Sequence, residues 1–193
     1  RYYLKAIKLS KKLNGENSNK YWVLQTNLAQ LHLKVEDYKK AEKILNSSYK
    51  FKVGKDIEDV SVVTLKEYYV ITLLAELYYL KSQYILAELY FKKSLLIKEN
   101  LNQTSYYTSQ KFSYTSSLIE LITLYNTTNQ YDSSIVYLMK LKKVYKEEED
   151  IDNYINSLTD ISDVYNILNQ SDSVMGYYNE IEKLKSIGDF IKP

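Results

Sequence analysis

The sequence predicts an all-α fold built from antiparallel helix pairs, and three observations support this class. Apolar and small residues recur three, four and seven positions apart over most of the chain, which is the spacing of one helical face. Helix breakers are rare, because the 193 residues include four glycines and one proline, Pro193. Short polar steps separate the apolar stretches and leave room only for tight turns.

The segment 74–98, LAELYYLKSQYILAELYFKKSLLIK, has this pattern in its most complete form. One helical face carries Leu74 and Tyr78, and the matching face of the next helix carries Ala87 and Phe91. The polar step 81–83 between them predicts the turn of a helical hairpin. Ala87 is the position where the two helices can approach closely.

Three other segments repeat the same order of large apolar, small and aromatic residues. The four sets are Leu28, Ala29, His32, Tyr38, Ala41, Leu45 and Ser48; Leu74, Ala75, Tyr78, Tyr84, Ala87, Phe91 and Ser94; Leu121, Ile122, Tyr125, Tyr131, Ser134, Leu138 and Leu141; and the less regular Ile161, Ser162, Tyr165, Ser171, Val174, Tyr178 and Ile181. This pattern resembles the tetratricopeptide repeat (TPR), a helix-turn-helix unit. The resemblance implies a right-handed α-solenoid of about four and a half repeats.

The predicted boundaries follow the polar interruptions. We expect one solenoid over 1–193, with the second helix of a truncated repeat at 1–13 and full repeats at 18–52, 60–100, 105–146 and 150–187. The turn residues of successive repeats are 46, 47 and 40 positions apart, which resembles the repeats of about 40 residues in kinesin light chains and in bacterial signalling proteins. Because the chain starts inside a repeat, we expect a fragment of a longer protein.

Local signals support these boundaries. Gly15 is suited to end the first helix, and Ser18 or Asn19 to cap the next one. The acidic run 147–150 is suited to the positive N-terminal end of the following helix.

Composition excludes several classes of partner. The formal net charge of +2 is too small to indicate a nucleic-acid partner, and the irregular period does not suit a one-base-per-repeat RNA code. The longest uncharged apolar run, 68–75, is far shorter than the ~20 residues of a membrane span. We therefore expect a soluble protein with no nucleic-acid partner and no membrane insertion, cytoplasmic or, after removal of a signal peptide, periplasmic.

The sequence carries no catalytic or metal-binding constellation. His32 is the single histidine and occupies the slot of Tyr78, which indicates a packing role. Cysteine is absent, and no glycine-rich phosphate loop is present. We predict that this segment is not an enzyme and has no catalytic residue, metal or cofactor.

The resemblance implies that ligands bind along the first helix of each repeat, on the concave face. Carried over by offset, the predicted binding residues are Gln30, Lys34, Tyr69, Thr72, Glu76, Tyr79, Glu120, Thr123, Asn126, Asp160 and Asp163. The Lys, Asn and Arg clamp by which co-chaperone members hold a C-terminal carboxylate is missing. Thr26, Gln30, Leu73, Ser116 and Glu120 occupy those slots instead.

The leading hypothesis is a non-catalytic scaffold that binds a protein or peptide with an apolar anchor and a basic flank. The alternative is a sensory or regulatory module of a larger bacterial signalling protein, with a kinase, transcription regulator or protease as its effector. A third hypothesis is a structural spacer or a self-association surface.

Overall fold

The computed structural model describes residues 2–16, 18–53, 65–103 and 114–191. Within these ranges the chain forms helices and no strand, which confirms the predicted all-α class. The helices are α1 Tyr2–Asn14, α2 Asn19–Lys34, α3 Tyr38–Val53, α4 Leu65–Leu80, α5 Tyr84–Gln103, α6 Tyr114–Thr127, α7 Tyr131–Glu147, α8 Ile151–Ile167 and α9 Ser171–Ile191. The predicted starts of the second and third repeats, at 60 and 105, lie outside the described residues.

The helices pack as the predicted antiparallel pairs, α2 with α3, α4 with α5, α6 with α7 and α8 with α9. The chain divides into two compact units, Arg1–Gln110 with α1 to α5 and Lys111–Pro193 with α6 to α9. In the first unit α1 packs on α2 and α3 on α4, and in the second α7 packs on α8. A single continuous array over 1–193, with α1 as half of a truncated repeat, stays a prediction.

Five connections between helices share one backbone turn. Its middle residue is in the left-handed region, and these residues are Glu36, Ser82, Asn129, Glu149 and Asn169, with φ between 55° and 60°. The next N–H donates to the carbonyl five residues earlier, as from Gln83 to Tyr78 at 2.8 Å. This bond closes the helix end as in a Schellman motif. The same turn joins α7 to α8 through Glu149, so it links successive pairs as well as the helices within a pair.

The predicted caps are present. Gly15 follows α1 with φ 74°, and Ser18 accepts a hydrogen bond from the Tyr21 N–H at 3.2 Å at the start of α2. Asp150, from the acidic run, accepts from the Asn153 N–H at 3.2 Å at the start of α8. Each bond satisfies a backbone donor that the helix itself leaves unpaired.

The repeat positions form the core. The small residues Ala29, Ala41, Ala75 and Ala87 are completely buried, so they allow neighbouring helices to approach closely. One predicted core position is wrong, because Tyr178 is 52% exposed. Helix α9 instead packs Tyr177, Ile181 and Leu184 against α8 and leaves Tyr178 on its flank.

Stacked tyrosine pairs connect the two helices of three hairpins. The ring centroids are 5.4 Å apart for Tyr78 and Tyr90, 5.5 Å for Tyr125 and Tyr137, and 5.8 Å for Tyr165 and Tyr177, with interplanar angles below 20°. The first hairpin has His32 and Ile44 at the equivalent positions. His32 is half-buried at the packing position predicted for it. Its Nδ1 lies 3.5 Å from the Asp37 carboxylate, so this side chain also contacts the turn between α2 and α3.

Candidate functional site

An open groove of about 630 Å³ lies between α2 and α4 in the first unit. These are the first helices of neighbouring pairs, as the resemblance implied. The lining residues are Trp22, Val23, Thr26, Asn27 and Gln30 from α2, and Tyr69, Thr72, Leu73 and Glu76 from α4. On each helix they recur three, four or seven positions apart, which places them on one face. The volume is in the range of pockets that bind small ligands or peptide side chains.

The groove brings together four of the predicted binding residues, Gln30, Tyr69, Thr72 and Glu76. Two others do not line it. Tyr79 turns towards the second helix of its own hairpin, with ring centroids 5.9 Å from Tyr84 and 6.5 Å from Phe91. Lys34 lies exposed at the end of α2.

The wall of the groove is aromatic and aliphatic. Tyr69 rests edge-on against Tyr68, with ring centroids 5.6 Å apart, which restricts its position. The Thr26 hydroxyl donates to the Val23 carbonyl at 3.0 Å, and the Thr72 hydroxyl lies 3.1 Å from both the Tyr68 carbonyl and Ser94 Oγ. These hydroxyls are engaged within the protein. Asn27, Gln30 and Glu76 are therefore the groups best placed to select a ligand.

Glu76 supplies the negative charge of this groove. Partial burial raises the pKa of its carboxyl, and the positive charge of Lys34 opposes the rise. A partly desolvated carboxylate has already lost some of its hydration, so a ligand cation beside it gains more than at an open surface. The arrangement suits an apolar side chain on the wall and a cation next to it.

Sequence reasoning missed two lining residues of this groove, Asn27 and Trp22, and Trp22 is the aromatic one. It is only 5% exposed, yet one part of the ring borders the groove. One feature of the sequence could have indicated it. This single tryptophan of the chain directly precedes Val23, a position that the resemblance to the repeat family places on the ligand side. Its environment makes it a fluorescent reporter for binding in the groove.

A second groove, of about 440 Å³, lies in the second unit. It is lined by Ile119, Ile122, Thr123 and Asn126 of α6, Tyr131, Leu138 and Leu141 of α7, and Asp160, Asp163, Val164 and Ile167 of α8. Four predicted residues line it, Thr123, Asn126, Asp160 and Asp163, whereas Glu120 is half-buried on α6 outside the lining. Burial and the neighbouring charge of Asp163 raise the pKa of Asp160. A cation between these carboxylates would relieve their repulsion.

The described part of the chain offers no metal centre, because no three His, Asp or Glu side chains there converge as ligands. No described helix is both long and apolar enough to cross a membrane.

No protein-family model matches the sequence, and no curated protein matches it either. Solved structures do match. BtubC (BKLC) from P. vanneervenii has a TM-score of 0.73 at 15% identity, over 99% of this chain and 73% of that chain. A kinesin light chain-like protein of Podosopora anserina, with nearly identical TPR-like repeats, has a TM-score of 0.72 at 12% identity, over 96% of this chain and 85% of that one. A form of that protein with a single substitution has a TM-score of 0.70 at 12% identity, over 97% of this chain and 85% of that one. The chain therefore has the fold of TPR-like helical-repeat proteins.

Proposed function

We propose that this chain is a non-catalytic scaffold that binds an extended or helical peptide in the groove between α2 and α4. A TPR-like fold is compatible with a protein-interaction scaffold. The observation that carries the proposal is the placement of Trp22, Tyr69 and Glu76 around one groove. Aromatic side chains dominate binding energy at protein interfaces, and a nearby carboxylate gives charge specificity.

The preferred peptide has one large apolar side chain next to a lysine or arginine. The apolar side chain fits the wall formed by Val23, Tyr69 and Leu73, where it would displace water from apolar surface. The basic side chain is complementary to Glu76, whose raised pKa reflects its incomplete hydration. Peptide backbone groups can bond to Asn27 and Gln30.

The groove in the second unit supports the same class of ligand. Ile119, Val164 and Ile167 form an apolar wall, and Asp160 and Asp163 supply two carboxylates. A second basic side chain, or a separate peptide of the same type, is complementary to this pair.

The test is selection of phage-displayed peptides on the wild-type protein, followed by titration of synthetic copies with Trp22 emission as the signal. We expect enriched peptides with one large apolar residue beside Lys or Arg. Glu76→Lys and Tyr69→Ala should each weaken these peptides by roughly tenfold or more. The matched control, Glu182→Lys on the exposed side of α9, should leave affinity unchanged.

Two results would contradict the proposal. Peptides that bind the wild type and the Glu76→Lys variant equally would place the site elsewhere, and enrichment of acidic peptides would reverse the charge assignment. For the second groove, the affinity of the selected peptides for the wild type is compared with their affinity for the Asp160→Asn and Asp163→Asn variants. Binding there is followed by the fluorescence anisotropy of a labelled peptide.

The two other hypotheses from the sequence stay predictions. A regulatory module of a larger bacterial signalling protein would require an attached effector whose activity changes when the repeats bind a ligand. A self-association surface would show as a mass that rises with protein concentration without any ligand.

A further inference from the structure

An ion pair joins the α2–α3 hairpin to the α4–α5 hairpin in the first unit. Lys81, in the turn after α4, has its Nζ 2.8 Å from Oε2 of Glu42 on α3. The two side chains are 25% and 30% exposed. The hairpins meet here because α3 packs on α4, and α2 contacts α4 as well. An ion pair that is partly buried at such a junction is screened less by water and salt than a pair on the open surface.

Tyr78 makes a further contact with the same carboxylate. Its hydroxyl lies 3.5 Å from Oε1 of Glu42, at the outer limit of a hydrogen bond. The Lys81 ammonium lies 5.6 Å from the centre of the Tyr78 ring, which is within the range of a cation–π contact. The ring itself stacks on Tyr90 of α5. Glu42 is therefore connected to both helices of the α4–α5 hairpin, and we call Glu42, Tyr78 and Lys81 the hairpin link.

Glu42 is the only carboxylate on α3, and Lys81 is the cation that it contacts. Lys39 and Lys43 on the same helix are exposed, and neither forms an ion pair within the described part of the chain. Lys40 pairs with Asp37 instead. The charge of Glu42 is thus directed across the junction between the hairpins.

The hairpin link lies on the side of α4 that faces away from the groove. Successive residues of an α-helix are rotated by about 100°, so Tyr78 lies roughly 200° round α4 from the groove residue Glu76. Lys81 directly follows α4, and its N–H still donates to the Leu77 carbonyl at 3.0 Å, so the helix end fixes its backbone. The link therefore holds α4 against α3 on one side, while the opposite face of α4 forms the groove with α2.

The corresponding junction in the second unit has apolar residues. There α7 packs on α8, and the positions equivalent to Glu42 and Lys81 hold Ile135 and Leu168, both half-buried. Apolar contacts are non-directional, whereas a charged hydrogen bond requires a particular distance and direction. The ion pair in the first unit therefore restricts how the two hairpins pack more than an apolar contact would.

We propose that Glu42 and Lys81 are positioning residues of the groove between α2 and α4. Their ion pair holds α4 at one place on α3, and this place sets how far Tyr69 of α4 lies from Val23 of α2 across the groove. Neither Glu42 nor Lys81 lines the groove. The effect on peptide affinity rests on the function proposed above, whereas the effect on the packing of the hairpins does not.

The experiment measures the packing of the hairpins with two spin labels. Because the chain has no cysteine, the labels are attached through Leu31→Cys on α2 and Ile85→Cys on α5, which are exposed and lie outside the groove lining and the hairpin link. Double electron–electron resonance gives the distribution of distances between them. Trp22 emission gives the affinity of the peptides selected on the groove, and urea unfolding gives the stability of each variant.

The variants separate the ion pair from the space that it fills. Glu42→Gln and Lys81→Met each remove one charge, and Glu42→Lys/Lys81→Glu exchanges the two charges. Glu42→Ile/Lys81→Leu installs the residue types of the second unit. The control is Lys143→Met/Glu147→Gln, which removes an ion pair of 3.7 Å within α7.

We expect each single variant to shift or broaden the distance distribution and to weaken the selected peptides by roughly fivefold. The charge exchange should return both measurements close to those of the wild type. The apolar variant should be at least as stable as the wild type, because apolar residues often replace a buried ion pair without loss. Its distance distribution and affinity should nevertheless be those of the single variants. The control should change neither measurement.

Three outcomes would overturn the proposal. Wild-type distance distributions in both single variants would show that the ion pair does not determine the packing of the hairpins. Wild-type distances and affinity in the apolar variant would show that any filled contact is sufficient. A charge exchange no better than the single variants would show that the two residues act through other contacts. Altered distances in a protein whose groove binds no selected peptide would support the positioning role and contradict only the proposed function.

Discussion

The Tyr154 hydroxyl donates a hydrogen bond of 2.6 Å to Glu180, and this bond joins α8 to α9. Burial, followed by the bond to Glu180, raises the pKa of Tyr154 to about 12. Because an unfolded tyrosine has a pKa of about 10, the folded protein holds this proton more tightly. The stabilisation is fully present below about pH 10 and is lost as the pH rises towards about 12.

The first prediction is that alkaline destabilisation depends on this tyrosine. We expect the free energy of unfolding to fall by up to about 3 kcal/mol from Tyr154 alone between about pH 10 and pH 12. Tyr154→Phe should be less stable by about 1 kcal/mol at neutral pH, because Glu180 loses its donor, and should show a shallower alkaline decline. Urea unfolding at a series of pH values measures this. Tyr2→Phe at an exposed position is the control, and equal alkaline slopes for Tyr154→Phe and the wild type would contradict the assignment.

The second prediction concerns the stacked pair of Tyr78 and Tyr90, whose rings are 14° from parallel. A double-mutant cycle with Tyr78→Leu and Tyr90→Leu should give a coupling energy of about 1 kcal/mol, since aromatic pairs contribute beyond their buried area. The control cycle combines Tyr90→Leu with Tyr84→Leu, which lies on another face of α5. That cycle should be additive within about 0.5 kcal/mol. A coupling energy no larger than the control would show that the stack adds nothing beyond burial.

The third prediction uses the repeated left-handed turn. Glu149 has φ 57°, a conformation that is unfavourable for a residue with a Cβ and not for glycine. Glu149→Gly should therefore stabilise the protein by about 0.5–1 kcal/mol, although glycine also makes the unfolded chain more flexible. Asn169→Gly at φ 57° should have a smaller effect, because asparagine tolerates this region. Loss of stability on Glu149→Gly, measured by urea unfolding, would mean that the glutamate side chain holds the turn.

Much of the fold could be predicted from local sequence, because a helical face, a turn and a cap each depend on residues close together in the chain. The burial of Ala41 and Ala87 and the caps at Ser18 and Asp150 follow directly from such patterns. The stack of Tyr78 on Tyr90 depends on how α4 is rotated about its axis relative to α5. The spacing of apolar residues within either helix does not predict that rotation.

The same reason explains where the site prediction was incomplete. Positions carried over from the family assume that the first helix has the same rotation in every repeat. Eight of the eleven residues predicted in this way line one of the two grooves. Tyr79 instead turns towards Tyr84 and Phe91, and Glu120 lies outside the lining of its groove. Trp22 lines a groove from a position that the offsets omit.

The last prediction tests the close approach of α4 and α5 at Ala87. This side chain is completely buried, and so is its equivalent Ala41 in the α2–α3 pair, which is the arrangement expected where a small residue lets two helices approach closely. Ala87→Leu adds three carbons to a filled contact, so the helices must separate or neighbouring side chains must leave their preferred rotamers. We expect a loss of about 2–3 kcal/mol in urea unfolding. The neighbouring change Leu86→Ala, on the exposed side of the same helix, should alter stability by less than about 1 kcal/mol. If the Ala87→Leu variant is as stable as the wild type, α4 and α5 leave space at this position. The small residue at this repeat position would then not be what allows the two helices to approach closely.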